Sequence, residues 1–280
     1  MTSKAHVHIA GIPINNVSYQ EALRRIDDFV SAERKVYVVT VNPEMILNAS
    51  EDDLFFELLN NAELTTPDGI GILWATHYLS KPLPKGKFSR YFQFYLSLLS
   101  ILFAPKRIRN PLKERITGAD LFREIVDRSQ QKKWKIFLLG ASKGVAEKAI
   151  KNLSKIYPDA HFVGSFAGSP DEGDEEGACD LINQAKPDLL FVAYGSPVQE
   201  FWIYRNLFKL NSVKVAMGVG GTFDFYADKV KRAPQWMQKV GLEWLWRLIR
   251  EPKRFSRIWN ATVKFVGLVR KEKMKNNHVQ

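Results

Sequence analysis

Five short runs that read as strands, four of them apolar, the first four each leading through a loop into a stretch of helical periodicity and the fifth ending in Gly220-Gly221, restrict this chain more than any other feature it has. They occupy residues 36–41 (VYVVTV), 63–66 (ELTT), 135–140 (KIFLLG), 188–195 (DLLFVAYG) and 213–220 (VKVAMGVG). Runs so short and apolar are strands buried on both faces, and strands that alternate with amphipathic helices pair in parallel. The pattern predicts the α/β class, with a mostly parallel, Rossmann-like sheet flanked by helices. Ligands of such sheets bind beyond the carboxyl ends of the strands. The loops holding Thr40 and Asn42, Asp68, residues 195–199 and residues 220–224 should therefore converge on one cleft.

Charge divides the chain. Of a net charge of +11, the whole excess lies from Lys229 onward, where fourteen Lys/Arg face three acids. A second stretch, residues 85–109, has six Lys/Arg and no acid. Two basic segments on a mildly acidic body point to an anionic surface or polymer as partner. The expected organisation is an α/β core over residues 1–228, with an insertion at about 85–109, and a basic, Trp-rich, membrane-associating helical appendage over 229–280. The single cysteine, Cys179, has no disulfide partner and the first residues lack a leader-like apolar run, which suits a reducing, cytosolic setting. No apolar run reaches the roughly eighteen residues that a simple spanning helix needs.

Candidate chemistry concentrates at the strand ends. Asp68 stands in a Pro-Asp-Gly turn directly after a strand. It reads either as a turn former bonding its own backbone or as a general base in a partly apolar setting. Residues 218–223, GVGGTF, lack the third glycine of a dinucleotide fingerprint, yet Gly220 and its neighbours let backbone amides approach a phosphate or sugar closely. The five histidines form no metal pattern, no Gly-x-Ser-x-Gly or P-loop occurs, and the acidic stretch 169–176 reads as a solvated loop, a divalent-cation cluster being the alternative.

Residues 91–103, YFQFYLSLLSILF, are too few to cross a bilayer of about 30 Å and read either as an interfacial helix with basic flanks or as a buried core helix. The appendage adds Trp236, Trp244, Trp246 and Trp259 among its cations, a make-up suited to a membrane surface. Nucleic acid is not expected as a partner, because the aromatic residues lie in runs with Leu, Ile and Val and no nucleic-acid motif occurs.

Six blocks, TVNPEMILNA, TPDGIGILWA, KERITGADLF, GSPVQEFWI, GTFDFYADKVKRAPQWM and GLEWLWRLIREPKRFSR, follow one another across most of the chain. In this order they resemble the WecG/TagA/CpsF family of bacterial glycosyltransferases, glycosyltransferase family 26. The resemblance implies an inverting enzyme that needs no metal or other cofactor and works peripherally at the cytoplasmic face of the plasma membrane. It would move a sugar from a UDP-sugar donor to an undecaprenyl-diphosphate-linked sugar, in cell-surface polysaccharide or teichoic acid biosynthesis. N-acetylmannosamine is the expected sugar, with its uronic acid, glucose or glucuronate as alternatives, and a homo-oligomer is left open.

By position in those blocks, Asp68 resembles the family's base for the acceptor hydroxyl, and Thr40 and Asn42 match pocket residues. Gln199 would hold substrate hydroxyls, Arg115 would neutralise the departing diphosphate, and Arg247, Arg254 and Arg257 would close over the acceptor's diphosphate. Two departures stand out. Val198 replaces the family's Lys, removing a cation near the cleft, and between Pro82 and Leu112 lies an insertion of roughly 25 to 30 residues, expected to be an added membrane contact. A non-catalytic protein that binds anionic lipid through the same basic segments is the alternative from another class.

Overall fold

The computed structural model describes residues 6–104, 107–241, 243–250 and 255–275. The chain opens with a hairpin of β1 (His6–Ile9) and β2 (Ile12–Asn15), antiparallel and joined by Ala10 and Gly11. Both turn residues have positive φ, 50° and 82°, as a two-residue hairpin turn requires. Helix α1 (Tyr19–Ser31) starts at a capping box in which the Ser18 hydroxyl accepts from the Glu21 amide and the Glu21 carboxylate accepts from the Ser18 amide.

The main sheet begins with β3 (Val36–Val41), followed by α2 (Pro43–Glu51), α3 (Asp53–Asn60) and β4 (Leu64–Pro67). Next come α4 (Ile70–Ser80), α5 (Lys87–Phe103) and α6 (Gly118–Lys132). The second half runs β5 (Lys135–Gly140), α7 (Val145–Ile156), β6 (His161–Phe166), α8 (Glu175–Ala185), β7 (Leu189–Ala193), α9 (Val198–Asn206), β8 (Val215–Gly218) and α10 (Thr222–Tyr226). Three helices close the described chain: α11 (Gln235–Val240), α12 (Glu243–Arg250) and α13 (Phe255–Lys275).

Six strands pair in parallel in the order β4-β3-β8-β7-β5-β6, as the alternation of runs and helices predicts. Residues alternate between two cores. Val36, Val38, Ile136, Leu138, Leu189 and Phe191 face α1, α6, α7 and α10. Tyr37, Val39, Phe137, Leu139, Leu190 and Val192 face α2, α3, α4, α8, α9 and α13. Two features were absent from the sequence reading: the β1–β2 hairpin, and the edge strand β6, whose residues are only half-buried or exposed.

In the acidic stretch, as elsewhere among the described residues, no three carboxylates are grouped to hold a metal ion. Residues 172–174 form a short 3-10 turn into α8, and the buried Glu175 takes the guanidinium of Arg205 and, at 3.9 Å, the ammonium of Lys209. In the appendage, α13 is built into the core: Phe265 and Val269 are buried against the layer that holds Trp74 and Met45. Its far end is fixed by Glu272, which accepts from the Ala10 amide at 2.9 Å, and by the buried Lys273, which donates to the carbonyls of Tyr78 and Lys81.

Candidate active site

Strand β4 is paired with β3 up to Val41 and Pro67, and the Asp68 amide extends the ladder by donating to the Val41 carbonyl at 2.8 Å. Gly69, at φ 94°, then turns the chain into α4. This leaves Asp68 at the carboxyl edge of the sheet, half-buried, with its Oδ2 accepting from the Gly118 amide at 3.3 Å. Gly118 is the first residue of α6, whose cap is Thr117, so the carboxylate meets the positive end of a fifteen-residue helix. On this side the setting of Asp68 is polar.

Thr40 is next to this pair, since a methyl group added at Gly118 would lie 3.0 Å from its Oγ1. The adjacent residue of α6's approach is also tied to β4, the Ile116 amide donating to the Pro67 carbonyl at 2.9 Å. Asn42 is oriented by the start of α2, where its Oδ1 accepts from the Met45 amide at 3.0 Å. Tyr19, which the sequence did not single out, packs on the same loop and accepts from the Thr117 amide at 3.1 Å. Burial, with smaller contributions from Asp120 and Asp68, holds its phenol well above the ordinary range, so it stays neutral.

One strand further in, β8 ends beside β3 and carries the loop at Gly220. Gln199 is buried, and its Oε1 accepts from the amides of Gly220 at 2.9 Å and Gly195 at 3.2 Å. Its Nε2 donates to the buried Glu200 at 2.7 Å. A Cβ at Gly218 would fall 2.4 Å from that Nε2, so glycine there is what admits the amide. The Gln199 amide binds two strand-end loops together and sets where their backbone groups point.

Arg115 turns toward the appendage. It donates to the Gln238 carbonyl and lies 3.9 Å from the Glu243 carboxylate. Arg232 completes the cluster, reaching Asp120 at 2.6 Å and Glu243 at 3.0 Å. Asp120 belongs to the first turn of α6, so two arginines and two carboxylates join α11 and α12 to the helix that contacts Asp68. Burial alone would raise the Asp120 carboxyl, but hydrogen bonds from Arg232 and Thr117 and the nearby guanidinium bring it below the usual carboxylate range. Arg254 lies outside the described residues, as do the side chains of Arg247 and Arg257.

Thr40, Asp68 and the α6 start are therefore in contact, Gln199 and Gly220 are joined one strand away, and Arg115 borders the same edge. Among the described residues, no group of three His, Cys, Asp or Glu is placed to hold a metal ion. A surface hollow of about 240 Å³ between α1 and α6, lined by Gln20, Glu124, Asp127 and Arg128, lies on the helical flank and away from this edge.

Comparison with known proteins fits this arrangement. A family model described as "Glycosyl transferase WecG/TagA/CpsF family" matches residues 7–101 and 99–279. An "N-acetylglucosaminyldiphosphoundecaprenol N-acetyl-beta-D-mannosaminyltransferase" of Bacillus subtilis (strain 168) is 31% identical over 272 residues, covering 94% of this chain and 92% of the relative. Proteins of the same description from Bacillus spizizenii, 31% identical over 88% of this chain and 86% of the relative, and Staphylococcus aureus (strain MRSA252), 30% identical over 98% and 96%, are similar in the same way. A family match across nearly the whole chain, on a parallel sheet with a carboxylate at its strand ends, makes this protein a glycosyltransferase of the WecG/TagA/CpsF family.

Proposed function

We propose that the chain transfers an N-acetylmannosamine-type sugar from UDP to N-acetylglucosamine carried on a polyprenyl diphosphate, with inversion, as a peripheral protein at the membrane's cytoplasmic face. The observation that carries the reading is Asp68, held by the Gly118 amide at the sheet's carboxyl edge beside Thr40. The activity of the Bacillus relatives supports the transferred sugar and the acceptor.

In this reading the acceptor hydroxyl attacks the anomeric carbon from the face opposite the nucleotide and gives its proton to Asp68. The bond between that carbon and the donor's diphosphate oxygen breaks, and UDP leaves with the electron pair. Arg115 is the cation at hand for that charge. Its contact with Glu243 is long, 3.9 Å, so a diphosphate competes readily for the guanidinium. The Gly220 amide is taken by Gln199, so what the loop offers the donor is close approach to a backbone held in place by that bond.

Asp68→Asn keeps the shape and an acceptor for the Gly118 amide but removes the base. Transfer of radiolabelled sugar to a short-chain diphosphate-lipid acceptor should fall by roughly 10² to 10⁴, with the thermal melt unchanged. Undiminished transfer would remove Asp68 as the base, whereas no transfer by the wild type, with vesicle binding retained, would leave only a lipid-binding role. A panel of UDP-sugars tests the donor, since Val198, 40% exposed at the first position of α9, presents no cation where the family's block has Lys.

A further inference from the structure

Helix α5 has seventeen residues, of which Lys87 and Arg90 alone are charged. Its inner side is packed. Phe94 is 6% exposed between the rings of Trp74 and Tyr78, Ser97 accepts from the Trp74 indole at 3.1 Å, and the Arg270 guanidinium of α13 stacks over Phe94 at 5.0 Å. The outer side is the reverse. Phe88 (85% exposed), Phe92 (60%), Tyr95 (56%), Leu96 (48%), Leu99 (49%) and Phe103 (81%) follow helical spacing. At 3.6 residues per turn they share one face over about 25 Å of helix. Single exposed apolar residues are ordinary, but a contiguous stripe of six large ones marks an interaction surface.

Charge selects what covers it. Between Asp68 and Glu114 there is no acidic residue, and eight Lys/Arg lie in that interval. Lys85 and Lys87 flank one end of the stripe, and Arg107 and Arg109 lie beyond the other, all exposed. A second copy docking through the same face about a twofold axis would oppose these cations to one another. An anionic bilayer satisfies both halves of the surface, taking the apolar stripe into its acyl boundary and the cations onto lipid phosphates. Among the described residues no helix is long and apolar enough to cross a membrane, so this helix lies along the surface.

Direction matters as much as chemistry. Tyr78 meets Phe94 while Trp74 meets Ser97, so α5 runs antiparallel to α4. Its Phe103 end therefore returns toward the start of α4, two residues beyond Asp68. We infer that the outer face of α5 embeds in the headgroup–acyl boundary of an anionic membrane and holds the carboxyl edge of the sheet against it. The inference uses the transferase reading only to say what the contact serves.

The test is vesicle co-sedimentation of the full chain with phosphatidylglycerol-containing and with pure phosphatidylcholine vesicles. Phe92→Glu combined with Leu99→Glu changes only exposed positions, and an unchanged melt verifies folding. Wild type should prefer the anionic vesicles, and the double variant should partition at least tenfold more weakly. Leu99→Cys bearing an environment-sensitive fluorophore should shift to the blue on binding, the native Cys179 being buried and unlabelled. Equal binding by the double variant, no spectral shift, or a wild-type dimer that the double variant dissolves would each overturn the proposal. Transfer to a water-soluble short-chain acceptor is expected to survive the double substitution, so its loss would point to catalysis and vesicle binding alone judges α5.

Discussion

Gln199 illustrates how a residue's role follows from its partners. Its carbonyl oxygen satisfies two loop amides, so Gln199→Ala should destabilise the fold by about 1–3 kcal/mol, read from the urea midpoint, and weaken donor binding as the Gly195 and Gly220 loops loosen. Neighbouring Glu200 is fully buried, and burial pushes its carboxyl above the usual value of 4.5 despite the hydrogen bond from Gln199. With the folded value raised, the native state keeps a proton that the unfolded chain releases. Stability therefore falls as pH climbs from about 4.5 toward the folded value. Glu200→Gln should abolish that decline, so thermal melts of variant and wild type should diverge more at pH 8 than at pH 4.5. Asp68 was legible in the sequence because a Pro-Asp-Gly turn after a strand has one position in a parallel sheet. Tyr19 and Arg232 were not, since their partners Thr117 and Asp120 lie 98 and 112 residues away and no local pattern encodes such contacts.

At the scale of elements, the N-terminus of α6 is a junction where Asp68, the Arg232 network and, through it, α11 and α12 converge. Arg232→Ala leaves Asp120 and Glu243 without their shared cation. It should cost about 1–3 kcal/mol and speed tryptic cleavage within residues 229–250, with Asp68 chemistry slowed because α11 and α12 no longer sit over the edge. The buried strands β3, β5, β7 and β8 were readable from apolar runs alone. The half-buried edge strand β6 and the four-residue hairpin strands were not, because their pairing depends on neighbours such as Asn15, whose side chain accepts from the Thr65 amide at 2.7 Å. For residues 91–103 the sequence left surface and core open, and the structure divides the answer between two sides of one helix.

Across the whole molecule, the appendage joins the core at its far end through Lys273. Desolvation lowers its ammonium to about 8 from the ordinary 10.5, while two carbonyls accept its protons. Here the unfolded chain binds the extra proton, so stability rises between pH 8 and 10.5 as the buried group sheds its charge. Lys273→Met should flatten that rise in a pH series of denaturation curves, and it should destabilise the fold at pH 7 because the Tyr78 and Lys81 carbonyls lose their donor. The basic, Trp-rich composition announced a surface-seeking segment, but that Phe265 and Val269 would belong to the core was hidden in a sequence too rich in cations to read as buried.

The α4–α5 hairpin sets a length. Asp68 precedes α4 by two residues, and α5 is packed on α4 at roughly one interhelical spacing, ~10 Å. Whatever plane α5 rests on, the height of the carboxylate above it is set by the packing of these two helices. If α5 lies on the membrane, a sugar tethered there by a diphosphate meets Asp68 at a set distance, and changing the thickness of that hairpin should shift which acceptors are reached.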